Sequence, residues 1–216
     1  MTTVLFIHGL ESGPRGTKSR ALEQAGFTVI AGQMPCGREA IFLDPVVIAL
    51  GIAALTVLLG ASSFGALGFL ICVVSYAVLQ RFVRPLLVRR MFRRSIAVQR
   101  ALLLANQIDV VVGSSFGGAV AIELLHTGAW RGRTVLLCPA QRLVAGRAWR
   151  PASTLPADAS RVVVVHGRKD ETVPLGHSRA LVKGTAARLI EVDDEHRLSA
   201  TATAENFAAW VGRTLE

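Results

Sequence analysis

The chain has 216 residues, a formal charge of +9 and three scattered cysteines, Cys36, Cys72 and Cys138. The length suits one α/β domain with a core of its own, and cysteines without a C-x-x-C pair exclude a disulfide framework and a cysteine metal site and fit a reducing compartment. The charge does not point to nucleic acid: Arg81, Arg84, Arg89, Arg90, Arg93, Arg94 and Arg100 stand together without an acid, directly after a run of 36 uncharged residues from Pro45 to Gln80, the arrangement of a membrane flank.

Met1-Thr2-Thr3 offers no basic region and the apolar run after it is short, so no signal peptide is expected. Thr3-Val4-Leu5-Phe6-Ile7 reads as a strand buried on both faces of a parallel sheet. A turn-rich loop, His8 to Pro14, follows. The pattern predicts a helix from about Thr17 to Ala25, stopped by Gly26, and a second strand over Phe27 to Ala31. Strand, helix, strand is the start of a doubly wound sheet.

Pro35 to Asp44 reads as a loop, and the apolar block follows it. One helix through the whole block would be about 54 Å long, against a hydrocarbon core of about 30 Å. Two helices, about 45–60 and 64–80, with a bend near Gly60 to Ser63, fit better. If Gly9 and Ser115 share one site, the chain crosses the membrane an even number of times. The block is therefore expected to be a helical hairpin that spans twice or dips into one leaflet. The arginines after it hold both ends on the cytoplasmic side of the inner membrane. A buried lid or a dimer contact in a soluble protein is the other reading. Residues 81–107 continue as helix, with Leu86, Leu87, Val88, Met91, Phe92, Ile96 and Val98 interleaved with the arginines. That is the pattern of a basic amphipathic helix at a lipid surface; packing of the apolar side on the domain is the alternative.

Val110-Val111-Val112 is a short strand, and Gly113-Ser114-Ser115-Phe116-Gly117 matches G-x-S-x-G, a sharp strand-to-helix turn that lifts its central serine clear of the sheet. Bulky neighbours would clash there, so glycines stand two places either side of Ser115. A helix over 119–125 follows, ending near Gly128. Further strands are expected at Thr134–Leu137, Arg161–Val165 and Ala187–Val192, with a helix around Leu181. A last helix over about 200–215 carries Phe207 and Trp210 on its apolar side. Residues 141–160, with Pro151 and Pro156, are expected to be irregular and to form a small cap.

A serine hydroxyl needs a base within hydrogen-bond reach, and the base needs an acid to orient it. In an α/β sheet such groups sit in loops at the carboxyl ends of strands. Ser115, Asp170 and His196 occupy three such positions, each behind a separate apolar strand. Asp193 and Asp194 are alternative acids. Ser114 lacks the glycine spacing. His8 and His166 read as structural, His126 and His177 as solvated helix residues. Gly13, Gly16 and Lys18 do not complete G-x-x-x-x-G-K-[ST], so nucleotide binding is not expected. Cys36 is a loop thiol or an acylation site.

His8-Gly9-Leu10, GSSFGG at 113–118, HGRKDETVP at 166–174 and DDEH at 193–196 together resemble the α/β-hydrolase superfamily, in particular its small bacterial serine esterases and thioesterases. The resemblance covers the chain except about residues 36–100; the insertion there is not a usual family feature. It implies a mostly parallel sheet of about six strands with helices on both faces, the family's first two strands being absent. Residues 1–35 and 95–216 would form the catalytic domain, with 36–94 inserted as the membrane hairpin and basic helix. The resemblance also implies Ser115 as nucleophile, Asp170 as acid, His196 as base, and an oxyanion hole from the backbone N–H groups of Leu10 and Phe116, with Gly9 allowing close approach. The expected activity is hydrolysis of a carboxylic ester or thioester, small or lipid-like, through an acyl-serine. No metal and no cofactor are expected, and the bilayer is the expected partner. Acyl transfer to another acceptor and a non-catalytic, membrane-bound interaction module are the alternatives.

Overall fold

The computed structural model describes residues 1–10, 12–35, 45–61 and 65–214. Residues 36–44, with Cys36, and residues 62 and 63 of the bend expected near Gly60 to Ser63 lie outside the described residues. Six strands, β1 (Thr3–Ile7), β2 (Thr28–Ile30), β3 (Val110–Ser114), β4 (Arg133–Leu137), β5 (Val162–Gly167) and β6 (Arg188–Val192), form one sheet in the order β2-β1-β3-β4-β5-β6. Every neighbouring pair is parallel. The helices are α1 (Thr17–Gln24), α2 (Pro45–Ala61), α3 (Gly65–Ala105), α4 (Phe116–His126), α5 (Gln141–Arg147), α6 (Leu175–Val182) and α7 (Ala204–Gly212).

The central strands are apolar or β-branched at nearly every position, and only a strand covered on both faces can bury that. Their alternation sorts the side chains into two cores. Leu5, Ile7, Val111, Leu136 and Val164 meet α3, α4, α5 and α6 on one face. Val4, Phe6, Val112, Val135 and Val163 meet Leu22 of α1 and Phe207, Trp210 and Val211 of α7 on the other.

α2 starts on Pro45, a residue preset for a first helical position, and packs along α3. α3 is a single helix of 41 residues with Pro85 inside it, about 60 Å long at about 1.5 Å per residue. The second arm of the expected hairpin and the basic helix are therefore one element. Its halves meet different surroundings. From Leu67 to Val78 its large apolar side chains are about half exposed or more. Among the described residues it is the one helix long and apolar enough to cross a membrane. From Val88 on, Met91, Phe92, Ile96, Leu102 and Leu103 pack on the first core. From Val88 on, that corrects the reading of 81–107 as a helix whose apolar side lies on lipid; before it, Phe82 and Leu86 stay exposed. α3 is the crossover between β2 and β3, and the parallel sheet needs that side of the helix to cover its face. A second correction concerns residues 141–160: the short helix α5 opens this segment, and the irregular part follows it.

Candidate active site

β3 passes into α4 across one residue. Ser115 has φ 53° and ψ −112°, a left-handed conformation that costs a side-chain-bearing residue about 1–3 kcal/mol. The surroundings hold it there. Ser115 N–H donates to Leu137 O at 2.9 Å, and Ser115 O accepts from Ala119 N–H at 3.1 Å and Ala140 N–H at 3.0 Å. The flanking glycines sit where space runs out. A Cβ on Gly113 would lie 2.8 Å from Gly117 O, and one on Gly117 would lie 2.0 Å from Ile7 O. β1 presses directly on the turn, so its loop runs beside the serine. A Cβ on Gly9 would lie 3.4 Å from Ser115 Cβ.

His196 follows β6, with Nε2 at 2.9 Å from Ser115 Oγ and Nδ1 at 2.7 Å from Asp170 Oδ2. Asp170 follows β5, and its carboxylate is fully buried. Asp170 Oδ1 accepts from Thr172 N–H at 2.9 Å and Val173 N–H at 2.7 Å. Burial pushes this carboxyl up, but hydrogen bonds from His166, His196 and Val173 N–H outweigh it and hold the group well below the usual carboxylate range. An ionised Asp170 only accepts, so His196 Nδ1 carries the proton and Nε2 presents its lone pair to the Ser115 hydroxyl.

The structure thus joins Ser115, Asp170 and His196 in one hydrogen-bonded line. The alternative acids lie elsewhere. Asp193 pairs with Lys169 at 3.0 Å on the surface. Asp194 accepts from Glu195 N–H, Ala200 N–H, Thr201 N–H and the Thr201 hydroxyl at 2.8–3.0 Å, and so folds the loop that carries His196. Gly167 lets that loop close on β5, since a Cβ there would lie 2.3 Å from Asp194 O. Ser114 is buried and accepts from Lys18 Nζ at 3.1 Å. His8 is buried, with Nδ1 at 2.8 Å from Gly9 O and Nε2 accepting from Met34 N–H at 3.3 Å. His126 is exposed. His177 differs from its expected solvation: Nδ1 is buried without a hydrogen-bond partner among the described residues. Burial lowers its pKa, and the Arg142 charge adds to that. Phe116 opens α4, where first-turn N–H groups have no intrahelical acceptor. Leu10 lies in the β1 loop, 39% exposed.

Two residues at the site were under-read in the sequence. His166 Nε2 lies 2.9 Å from Val173 O and 3.3 Å from Asp170 Oδ2. A carbonyl only accepts, so Nε2 carries the hydrogen, and Nδ1 accepts the Ser178 hydroxyl at 2.7 Å. His166 therefore braces the acid from its own strand. The signal in the sequence is its spacing, four residues before Asp170 at the strand end. Lys18 reaches Ser114 beneath the nucleophile from α1, and no pattern in the sequence marks that contact.

Cys138 Sγ, a His166 nitrogen and an Asp170 oxygen lie within 4.8 Å of one another. Their donor chemistry does not fit a cation. Both ring nitrogens of His166 are engaged as above, and burial pushes the Cys138 thiol up to about 12, so it keeps its proton.

No protein-family model matches the chain, and no curated protein matches it. Solved structures do. A protein from Xanthomonas campestris pv. campestris assigned to the alpha/beta hydrolase superfamily aligns over 98% of this chain and 99% of its own, at 24% identity and a TM-score of 0.59. The alpha/beta hydrolase domain-containing protein 10 from mouse aligns over 99% of this chain and 89% of its own, at 13% identity and a TM-score of 0.60. An alpha-beta serine hydrolase homologue from Coxiella burnetii aligns over 100% and 85%, at 15% identity and a TM-score of 0.53. Six parallel strands, a serine on the turn after β3 and these likenesses lead to one conclusion: the chain has the α/β-hydrolase fold.

Proposed function

We propose that this protein is a membrane-anchored serine hydrolase that cleaves carboxylic ester or thioester bonds through an acyl-Ser115 intermediate. One observation carries the reading: Ser115 Oγ, His196 Nε2 and Nδ1, and Asp170 Oδ2 form a continuous chain of contacts at 2.9 and 2.7 Å. As Ser115 Oγ attacks the carbonyl carbon, its proton moves to His196 Nε2. The imidazolium that forms is stabilised by Asp170, which stays ionised. We assign the N–H groups of Phe116 and Leu10 as the donors that stabilise the negative charge growing on the carbonyl oxygen. His196 then returns the proton to the leaving alkoxide or thiolate, and the bond to the leaving group breaks. Water, deprotonated by His196, attacks the acyl carbon of acyl-Ser115; His196 then gives that proton to Ser115 Oγ as the acyl–oxygen bond breaks, and the acid leaves.

The exposed apolar half of α3 and its arginine flank support anchoring in the inner membrane, with the catalytic domain on the cytoplasmic side. That location favours acyl-chain or lipid-like substrates. The test is labelling by a fluorophosphonate probe of the full chain in detergent, wild type against Ser115→Ala. Labelling of wild type alone is expected. No labelling of folded wild type would shift the reading to a non-catalytic module, and product analysis with added alcohols separates hydrolysis from acyl transfer.

A further inference from the structure

α3 runs down the first face of the sheet and ends at Ala105, just before β3 begins at Val110. Higher up, the Phe92 ring stands edge-on to Phe116, the residue after the serine, with centroids 5.9 Å apart. Toward its N-terminal end the helix therefore climbs from the level of Phe92 past the carboxyl ends of the strands, on the side where Ser115 and His196 lie. Arg84 sits about 12 Å beyond that level and Arg81 about 16 Å, at about 1.5 Å per residue.

At that height the catalytic domain reaches out to the helix. Trp149, after α5, is 45% exposed and has φ 47°, a strained conformation for a bulky residue. Arg89 of α3 holds it there, donating from Nε to Ala148 O and from Nη2 to Trp149 O, each at 2.5 Å. Phe82, 56% exposed, packs edge-on against the indole at 5.8 Å, and the Arg81 guanidinium lies 5.3 Å from the ring centroid. Arg81 and Arg84 are exposed. No acid occurs between Pro45 and Ile108. Immediately above is the exposed apolar stretch from Leu67 to Val78. Indole and arginine below an apolar segment, in a stretch of chain without an acid, is the composition that settles at a headgroup layer.

We infer that Arg81, Phe82, Arg84 and Trp149 form a collar that docks the catalytic domain on an anionic bilayer, with the carboxyl edge of the sheet turned toward the lipid. The inference rests on the membrane-anchored reading above and adds an orientation to it. Amphiphiles presented by the bilayer would then approach Ser115 from the collar side.

The experiment uses the full chain in vesicles of phosphatidylcholine, with or without a third of phosphatidylglycerol, part of the phosphatidylcholine carrying bromine near the headgroup end of its acyl chains. Trp149→Phe, shown by circular dichroism to be folded, isolates the Trp149 share of the emission. The protein is expected to float with both vesicles, and Trp149 to be quenched in the anionic ones. Arg81→Gln with Arg84→Gln should still float, because the apolar stretch is intact. Its ratio of docked to undocked Trp149 should fall about thirtyfold, which corresponds to about 1 kcal/mol per arginine. Three results would overturn the inference. Wild type that fails to float removes the membrane reading and the collar together. Wild type that floats with Trp149 unquenched removes the collar and leaves the anchor. Quenching that ignores both phosphatidylglycerol and the double substitution removes the recognition of anionic lipid.

Discussion

His166 Nε2 lies 3.3 Å from Asp170 Oδ2, the same oxygen that His196 Nδ1 meets at 2.7 Å. One carboxylate oxygen thus faces two imidazoles on opposite duties. His196 exchanges protons with the serine, while His166 is fixed by Ser178 and Val173. Replacing His166 by Phe keeps the bulk and removes a donor to a buried carboxylate. Such a bond is worth about 1.5–3 kcal/mol, so kcat should fall about ten- to a hundredfold. The folded pKa of Asp170 should also rise, because its carboxylate loses a bond that stabilises the charge, so acid unfolding should begin at a higher pH than in wild type. An acid-unfolding midpoint that stays in place would leave His166 a packing residue only.

Asp170 also links stability to pH. Its folded pKa is lowered and its ordinary value is 3.8. The unfolded chain therefore binds the proton first on acidification. The stabilising contribution is complete above the ordinary value and is lost as pH falls through it toward the folded pKa. Denaturation midpoints of wild type and Asp170→Asn should differ more at about pH 6 than at about pH 3. A constant difference would mean that the carboxylate charge carries none of the effect.

How far this could be read from the chain follows from what kind of contact each feature rests on. Strand after strand was legible because β3 and β5 open on unbroken runs of valine, and burial on both faces leaves no other use for such a run. The turn at Ser115 was legible because its glycines answer to clashes with backbone a few atoms away. The face of α3 was not. The same interleaving of leucines and arginines serves a lipid surface or a sheet, and only the crossover from β2 to β3 decides between them. Lys18 on Ser114 and Arg89 on Ala148 span 96 and 59 residues of sequence, and neither end carries a local signature.

Gly117 offers a direct test of the pressed elbow. A Cβ there would meet Ile7 O at 2.0 Å and Ile7 C at 2.5 Å, backbone that cannot swing aside. Gly13 has nothing within 4 Å of the same position. Gly117→Ala should lower stability by about 3 kcal/mol or more, the range of severe overpacking, and Gly13→Ala should be nearly neutral. Equal unfolding midpoints for the two variants would show that β1 does not clamp the turn.

Lys18 is a conflict built in beside the site. Burial lowers its pKa and Arg197 adds to that, while the carboxylates of Asp194 and Asp170 pull the other way. A lysine whose folded pKa is lowered is stabilised by rising pH, since the unfolded chain holds the proton longer. At neutral pH the folded state therefore bears the cost of the buried ammonium, offset in part by the bond to Ser114. Lys18→Met should raise the denaturation midpoint at neutral pH, and the gain should shrink as pH climbs toward 10.5. A midpoint that falls at neutral pH would mean that the Ser114 bond outweighs desolvation.

Cys138 should be silent while the protein is folded. It is 1% exposed, and its thiol is pushed from 9.0 up to about 12, chiefly by burial. At neutral pH that leaves about a thousandfold less thiolate than an ordinary cysteine, and the thiolate is the species that reacts. In a variant with Cys36→Ser and Cys72→Ser, Cys138 is the one thiol left. Maleimide should label it roughly a thousandfold faster, or more, in denaturant than in native buffer. Labelling by the fluorophosphonate probe should be the same before and after native maleimide treatment. Fast native modification that also abolished probe labelling would show that reagents reach the layer beneath Asp170, and that the buried floor of the site opens in solution.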